Sequence, residues 1–267
     1  MMTILDKIIA YKKREIAVIS ALTPARELEN RKLFEREVFS LSESLLDKSK
    51  TGIIAEFKRK SPSKGIINSD ASVVDVTSGF FREGASGVSV LTDNHFFGGS
   101  SADLSDARKN NRFPILRKDF IISEYQVVES KTIGADAILL IAAALKKDEI
   151  VDLAKLAHST GMEVLLEIHE PDELDKINRY INIIGVNNRN LKTFEVNTDI
   201  SMNLADQIPQ GFITISESGI SLPQDIKKLK TAGYNGFLMG EKFMSAPDPV
   251  KAFSEFVKEL MGTHDKN

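Results

Sequence analysis

The chain has 267 residues, 42% of them hydrophobic and 27% charged, so wholesale disorder is excluded and a sizeable core can be buried without staples. It has no cysteine, which removes disulfides, thiolate-held metal sites and a cysteine nucleophile. A net charge of −3 gives no general basis for nucleic-acid binding.

In the opening MMTILDKIIAYKKREIAVIS, Ile4, Leu5, Ile8, Ile9, Ile16 and Ile19 recur at helical spacing. The pattern predicts an amphipathic helix packed on the rest of the protein. Lys7, Lys12, Lys13, Arg14 and Glu15 interrupt any signal-peptide core, and their mixed signs disfavour a membrane-surface helix. Residues 20–50 are polar and helix-prone, with a charge-rich ELENRKLFEREVF. The longest apolar run, Ala137 to Leu145, falls far short of the roughly twenty residues that a membrane helix needs.

From Gly52 onward, short apolar runs alternate with polar, helix-compatible stretches. Eight runs begin at Gly52, Gly87, Pro114, Asp136, Met162, Ile181, Phe212 and Gly236. Their spacing of roughly 20–35 residues suits βα units. Helical stretches end at Gly84, Gly134, Gly161 and Gly233, the expected stop signals. Strands buried on both faces and alternating with helices predict a parallel sheet. With eight of them and no second core, the expected fold is α/β, a closed (β/α)8 TIM barrel with an N-terminal helical extension. A doubly wound open sheet is the alternative. GxGxxG after the first run and a Walker A sequence are both missing, so the usual nucleotide fingerprints are absent. The organisation is read as one catalytic domain over 1–267, with the extension at 1–47 packed on a barrel core at 48–262. No large second apolar face is visible, so a monomer is expected. The lack of cysteine fits a reducing, cytoplasmic setting.

In such a barrel, chemistry sits at the C-terminal ends of the strands. Run one carries Glu56 and Lys58, two apart and so on one face of the strand. Lys118 and Asp119 close run three, Glu167 follows Val-Leu-Leu in run five, Asn187, Asn188 and Arg189 end run six, and Glu217 and Ser218 end run seven. For any one strand, exposure to solvent is explanation enough. Five of eight ending this way points to a charged rim whose members must pair, the arrangement that shifts pKa values. EFKRKSPSKG brings Lys58, Arg59, Lys60 and Lys64 into a Ser/Pro/Gly loop. Alone it is a solvated basic turn; above a barrel mouth it suits an anionic substrate. SESGI and LMGE each place a glycine, Gly219 and Gly240, between a strand and a helical stretch. After strands seven and eight this is where barrels hold phosphate, through backbone N–H groups. In TDNHFFGGS, one of Phe96 and Phe97 is expected in the core and the other facing an aromatic ring in the site. Asp93 and His95 have ligand chemistry but suggest no third ligand. His158, His169 and His264 are scattered, with His158 at a helix surface.

AEFKRKSPSKG, VLTDNHFFGGS, LRKDFI, LLEIH, GVNNRNL, SESGI and FLMGEKFM, in this order and with the opening ILDKIIAYKKREI, resemble the indole-3-glycerol phosphate synthase family over about Ile4 to Met244. The resemblance implies cyclisation of 1-(2-carboxyphenylamino)-1-deoxyribulose 5-phosphate to indole-3-glycerol phosphate with loss of CO2 and water, a lyase step of tryptophan biosynthesis. It implies Lys118 as general acid, Glu167 as the acid/base of dehydration, and Lys58, helped by Ser61, on the substrate carboxylate. It puts Glu56, Asn187 and Glu217 at catalytic or hydroxyl-binding positions and Phe97, Phe120 and Arg189 at substrate-contacting ones. Ser218, Gly219, Gly240 and Glu241 fall at the phosphate site. Some relatives carry serine where this chain has Glu241, so its side chain is expected to turn away from the phosphate. A lysine acid near neutral pH calls for a pKa lowered from about 10.4 toward roughly 7–8. Lys58 and desolvation push Lys118 that way, while Glu56 and Glu167 pull back. The chemistry demands no metal, flavin or nicotinamide, so no cofactor is expected; nor are nucleic-acid or membrane partners. Another sugar-phosphate barrel, such as phosphoribosylanthranilate isomerase, and a non-catalytic phosphate-binding barrel are the alternatives.

Overall fold

A computed structural model describes residues 2–190 and 195–262. Leu191, the last residue of GVNNRNL, and His264 lie outside the described residues. All eight predicted runs are strands: β1 Ile53–Phe57, β2 Gly87–Leu91, β3 Ile115–Lys118, β4 Ala137–Ile141, β5 Glu163–Ile168, β6 Ile183–Asn187, β7 Ile213–Glu217 and β8 Gly236–Met239. Each pairs in parallel with its neighbours in sequence, and β8 pairs β1 through Ile53 and Phe237, closing the barrel. Closure rules out the open sheet and leaves no barrel edge to cover.

The N-terminal helix, α1 (Ile4–Leu22), starts in a capping box. The Thr3 hydroxyl accepts the Asp6 N–H at 3.1 Å and the Thr3 N–H donates to Asp6 Oδ2 at 2.8 Å. The next segment is less helical than its composition predicts. Only α2 (Ala25–Glu29) and α3 (Leu41–Leu46) form, with turns between them. Tertiary bonds take the groups that a longer helix needs. Arg36 donates to Asp136 Oδ1 at 2.8 Å, the Phe39 N–H donates to the same atom at 2.9 Å, and the Ser40 hydroxyl donates to Glu163 at 2.6 Å.

The βα helices are α4 (Val73–Arg82), α5 (Ser101–Asn110), α6 (Glu124–Ile133), α7 (Lys147–Ser159), α8 (Asp199–Leu204), α9 (Pro223–Thr231), α10 (Glu241–Met244) and α11 (Pro249–Gly262). A 3₁₀ turn, Pro171–Lys176, stands in for a helix after β5. Gly134 closes α6 at φ +101°, a conformation that costs glycine nothing. Among the described residues, no helix is long and apolar enough to cross a membrane.

Alternation along the strands separates two apolar layers. Outward residues such as Ile53, Val88, Ile115, Ile138, Val164 and Ile184 pack under the helices. Inward residues Ile54, Leu116, Leu139, Leu165, Ile183, Ile215 and Leu238 fill the barrel, and Leu41 and Leu45 of α3 join them. Further along β1, β3, β5, β6 and β7, the inward position becomes polar.

Candidate active site

Counting two residues on from that apolar layer builds the site. Ile54 leads to Glu56, Leu116 to Lys118, Leu165 to Glu167, and Ile215 to Glu217; Ile183 leads through Gly185 to Asn187. In register, Asn187 lies opposite Glu217 and Leu91 opposite Lys118. Gly185 has no side chain because the Glu217 carboxylate occupies the place where a Cβ would stand. The side chains meet at the floor of a cavity of about 500 Å³, within the range for small-molecule sites. The cavity is also lined by Lys58, Ser61, Phe97, Phe120, Arg189, Ser218, Gly219, Gly240 and Glu241.

Lys118 Nζ donates to Glu167 Oε2 at 2.8 Å and to Glu217 Oε2 at 2.9 Å. Burial works against its ammonium, but the fields of Glu167, Glu217 and Glu56 outweigh burial and raise its pKa. The lowering that a neutral-pH lysine acid calls for is therefore not what this ring of carboxylates delivers. The two glutamates themselves are driven apart. Burial opposes the Glu167 carboxylate, yet Lys118, His169 and an Asn187 hydrogen bond bring it down to about 2. Burial pushes Glu217 up, Lys118 offsets only part, and repulsion from Glu167 and Glu56 adds, to about 7. A proton that the pair shares is therefore favoured on Glu217. Glu217 Oε1 is buried without a hydrogen-bond partner, as befits a carboxyl with bonding capacity to spare.

The SPSKG loop folds back as a two-residue hairpin, Lys60–Ser61 against Gly65–Ile66. Lys58 Nζ donates to Glu56 Oε1 at 2.7 Å, the same-face pairing that a two-residue spacing predicts. Phe97 and Phe120 form the aromatic wall, with centroids 5.9 Å apart. Phe96 departs from expectation, since neither phenylalanine enters the core. Its ring packs edge-on against Tyr11 of α1 at 5.7 Å, and Tyr11 stacks on His95 at 4.4 Å. His158 is exposed on α7, as its position in the sequence suggests.

After β7, Ser218 (φ +67°) and Gly219 (φ +77°) are consecutive left-handed residues, and for Ser218 this is a strained conformation. Asn188 holds the turn, donating to the Ser218 carbonyl at 3.1 Å and to Ser216 Oγ at 3.0 Å. Adjacent asparagines thus divide the work: Asn187 faces the cavity and Asn188 is buried behind it. Gly240 caps α10: its carbonyl accepts the Phe243 and Met244 N–H groups, while those of Glu241 and Lys242 have no intrahelical acceptor. A Cβ at Gly240 would sit 2.7 Å from that of Glu56, so the glycine also makes room for a cavity carboxylate. The Glu241 carboxylate is drawn to Lys64 and Arg189, each at 3.6 Å.

Three features escape sequence reasoning. Ile4, Leu5 and Ile8 of α1 line the cavity, so this helix forms part of its wall. Lys12, read as a break in an apolar stretch, is buried and paired with Glu15 (2.6 Å), Asp93 (2.9 Å) and Asp119 (3.0 Å). His169, set aside as scattered, lies 3.5 Å from Glu167. Only the last left a signal, its two-residue offset from Glu167.

The family profile described as indole-3-glycerol phosphate synthase matches residues 5–256. The chain belongs to the indole-3-glycerol phosphate synthase family. An indole-3-glycerol phosphate synthase of Bacteroides thetaiotaomicron is 46% identical over 260 residues, covering 97% of this chain and all of that relative. Another, from a Polaromonas species, is 41% identical over 259 residues and covers 96% of this chain and 98% of its own. Among solved structures, a chain of the tryptophan synthase complex of Pyrococcus furiosus superposes with a TM-score of 0.59 over 79% of this chain and 98% of its own. A variant of the alpha-subunit from the same organism superposes with a TM-score of 0.60. At 14% and 15% identity, these two speak for the barrel fold alone. Membership makes the chain a decarboxylating lyase of tryptophan biosynthesis.

Proposed function

We propose that the cavity converts 1-(2-carboxyphenylamino)-1-deoxyribulose 5-phosphate to indole-3-glycerol phosphate, CO2 and water, with the roles assigned as follows. The observation that carries the reading is Lys118 Nζ held between Glu167 and Glu217 at 2.8 and 2.9 Å, beneath a wall of Phe97 and Phe120. The aromatic wall takes the anthranilate ring. Lys58 and Ser61 bind its carboxylate. Arg189, Ser218, Gly219, Gly240 and the backbone of Glu241 take the phosphate end.

The ring carbon that bears the carboxylate attacks the ribulose carbonyl. Negative charge builds on the carbonyl oxygen, and Lys118 delivers its proton there. A raised lysine pKa does not forbid this, because an alkoxide is a far stronger base than an amine. It keeps Lys118 charged until the alkoxide forms. Loss of CO2 then restores the aromatic ring. Dehydration needs a proton for the departing hydroxyl and a base for the proton on the adjacent methylene. Two carboxyls with pKa values pushed apart supply both: Glu217 donates and Glu167 accepts. Glu56 holds Lys58 in place, and Asn187 steadies Glu167.

The test is direct. Supplied with the carboxyphenylamino substrate alone, the protein is expected to generate indole fluorescence with release of one CO2 per turnover. Isomerisation without fluorescence would favour the sugar-phosphate isomerase reading, and binding without turnover the non-catalytic one.

A further inference from the structure

Among the described residues, His169 is a largely enclosed titratable side chain beside the reacting groups that the steps above leave unused. It follows Ile168 on β5 and returns to the face of Glu167, two residues back. Its Nε2 lies 3.5 Å from Glu167 Oε1 and its Nδ1 3.8 Å from Glu173 Oε2, ion-pair rather than hydrogen-bond separations. Both ring nitrogens are buried without a hydrogen-bond partner. A neutral imidazole there would leave a donor and an acceptor unpaired in a dry site. An imidazolium would instead be held electrostatically between two carboxylates. The groups facing it are Glu167 from β5, Glu173 from the following 3₁₀ turn and Glu217 from β7, all acidic. The Glu173 side chain is fixed in turn, since Oε2 accepts the backbone N–H of His169 at 2.6 Å.

Glu167 is thus approached from two sides, Lys118 at Oε2 and His169 at Oε1, whereas Glu217 has Lys118 at Oε2 and, among the described residues, no hydrogen-bond partner at Oε1. We propose that His169 is a positioning residue whose positive charge holds Glu167 ionised and so keeps the shared proton of the Glu167–Glu217 pair on Glu217. This rests on the reading in which Glu217 donates and Glu167 accepts during dehydration. Without the imidazolium the gap between the two carboxyls narrows, and with it the preference that keeps the acid and base roles apart. His169 contacts no reacting atom and acts through Glu167. Its own pKa is raised, the carboxylates outweighing burial, so its charge extends to higher pH than that of an ordinary histidine and is lost as pH climbs through the raised value.

Two measurements test this. In the ligand-free wild-type protein, the His169 ring, assigned by comparison with His169→Gln, is followed by NMR across pH. It is expected to titrate above the ordinary value of about 6.5 and to drop in Glu167→Gln. Titration at or below that value overturns the proposal, even if His169→Gln fails to fold and assignment must come from other spectra. In steady-state kinetics, folded His169→Gln is read from its kcat profile against pH, where each pKa unit of lost stabilisation moves the limb by about one pH unit. KM should stay within about twofold, because no substrate contact is removed. The alkaline limb of the kcat profile should move to higher pH, since removing a cation raises carboxyl pKa values. A merely space-filling histidine leaves the limb where it is, and an unmoved limb with wild-type kcat overturns the proposal. Absence of turnover by the wild type would instead defeat the functional reading, while the NMR titration still decides the charge of His169.

Discussion

Lys118 is the residue on which the chemistry turns, and its two short bonds set what a substitution does. Arginine keeps the charge, but its pKa above about 12 makes it a poor donor, and its planar fork does not fit the site of a single Nζ. Folded Lys118→Arg is expected to lose about 10²–10⁴ in kcat with little change in KM, read from initial rates of indole formation. Near wild-type kcat would reduce Lys118 to an electrostatic anchor and transfer the acid role to Lys58. Glu241 makes the opposite kind of prediction. Its carboxylate occupies Lys64 and Arg189 at the phosphate end, half-exposed and at 3.6 Å. Pairs of this sort are worth at most about 1 kcal/mol, so Glu241→Ser is expected to lower KM about twofold to fivefold at low salt. The gain should shrink as salt screens the site, and kcat should not change. The residue types at both positions were legible in the sequence. What was not legible was the sign of the field at Lys118, which depends on three carboxylates brought together from β1, β5 and β7.

The element that tertiary structure redefines most is α1. Its apolar periodicity announces a packed helix, but periodicity cannot say against what. Ile4, Leu5 and Ile8 turn out to line the cavity, and Lys12 plugs the helix into the barrel rim. There it joins a buried chain of charge. Asp119 takes Lys12 at 3.0 Å and Arg117 at 3.0 Å, and Arg117 reaches Glu129 of α6 at 2.7 Å. Asp119 therefore lies across the pleat from Lys118 and has structural partners, as alternation along β3 requires. Lys12→Met leaves Asp93 and Asp119 short of a buried counter-charge. The expected cost is about 3 kcal/mol, or on the order of 5–10 °C in Tm. Amide exchange over Ile4–Leu22 should rise before that of the strands, and KM should increase because part of the wall is loosened. If Tm and KM are both unchanged, Lys12 does not dock the helix.

For the whole molecule, the buried charges set the response to pH. Asp119 sits in burial that opposes its charge, yet Arg117, Lys12 and Thr92 bring its pKa to about 2, below the usual 3.8. A carboxyl depressed in the folded state contributes stability that is present above the unfolded value and is lost as pH falls toward the folded one. The shift corresponds to about 2 kcal/mol, so Tm should decline steeply between about pH 4 and pH 2. In Asp119→Asn that portion of the decline should vanish while the starting Tm is lower. Activity has a separate limit. Glu217, at about 7, loses its proton as pH rises, so kcat is expected to fall on the alkaline side while the fold persists.

Sequence by itself determined the number and order of the strands, the glycine stops of the helices and the strand ends that carry ionisable groups. These follow from local periodicity and chain direction, which neighbouring residues encode. The placement of Glu56, Lys118, Glu167, Asn187 and Glu217 in one layer also follows, once a barrel is assumed, because a period of two carries each of them inward. Tertiary structure alone decided what those groups do to one another. Whether Lys118 is pushed up or down, which glutamate holds a proton more readily, where Glu241 points, that Lys12 is a buried partner and that His169 faces Glu167 all depend on distances of a few ångströms between distant segments. Coulomb and desolvation terms vary steeply over that range and oppose each other, so spacing along the chain cannot fix their balance.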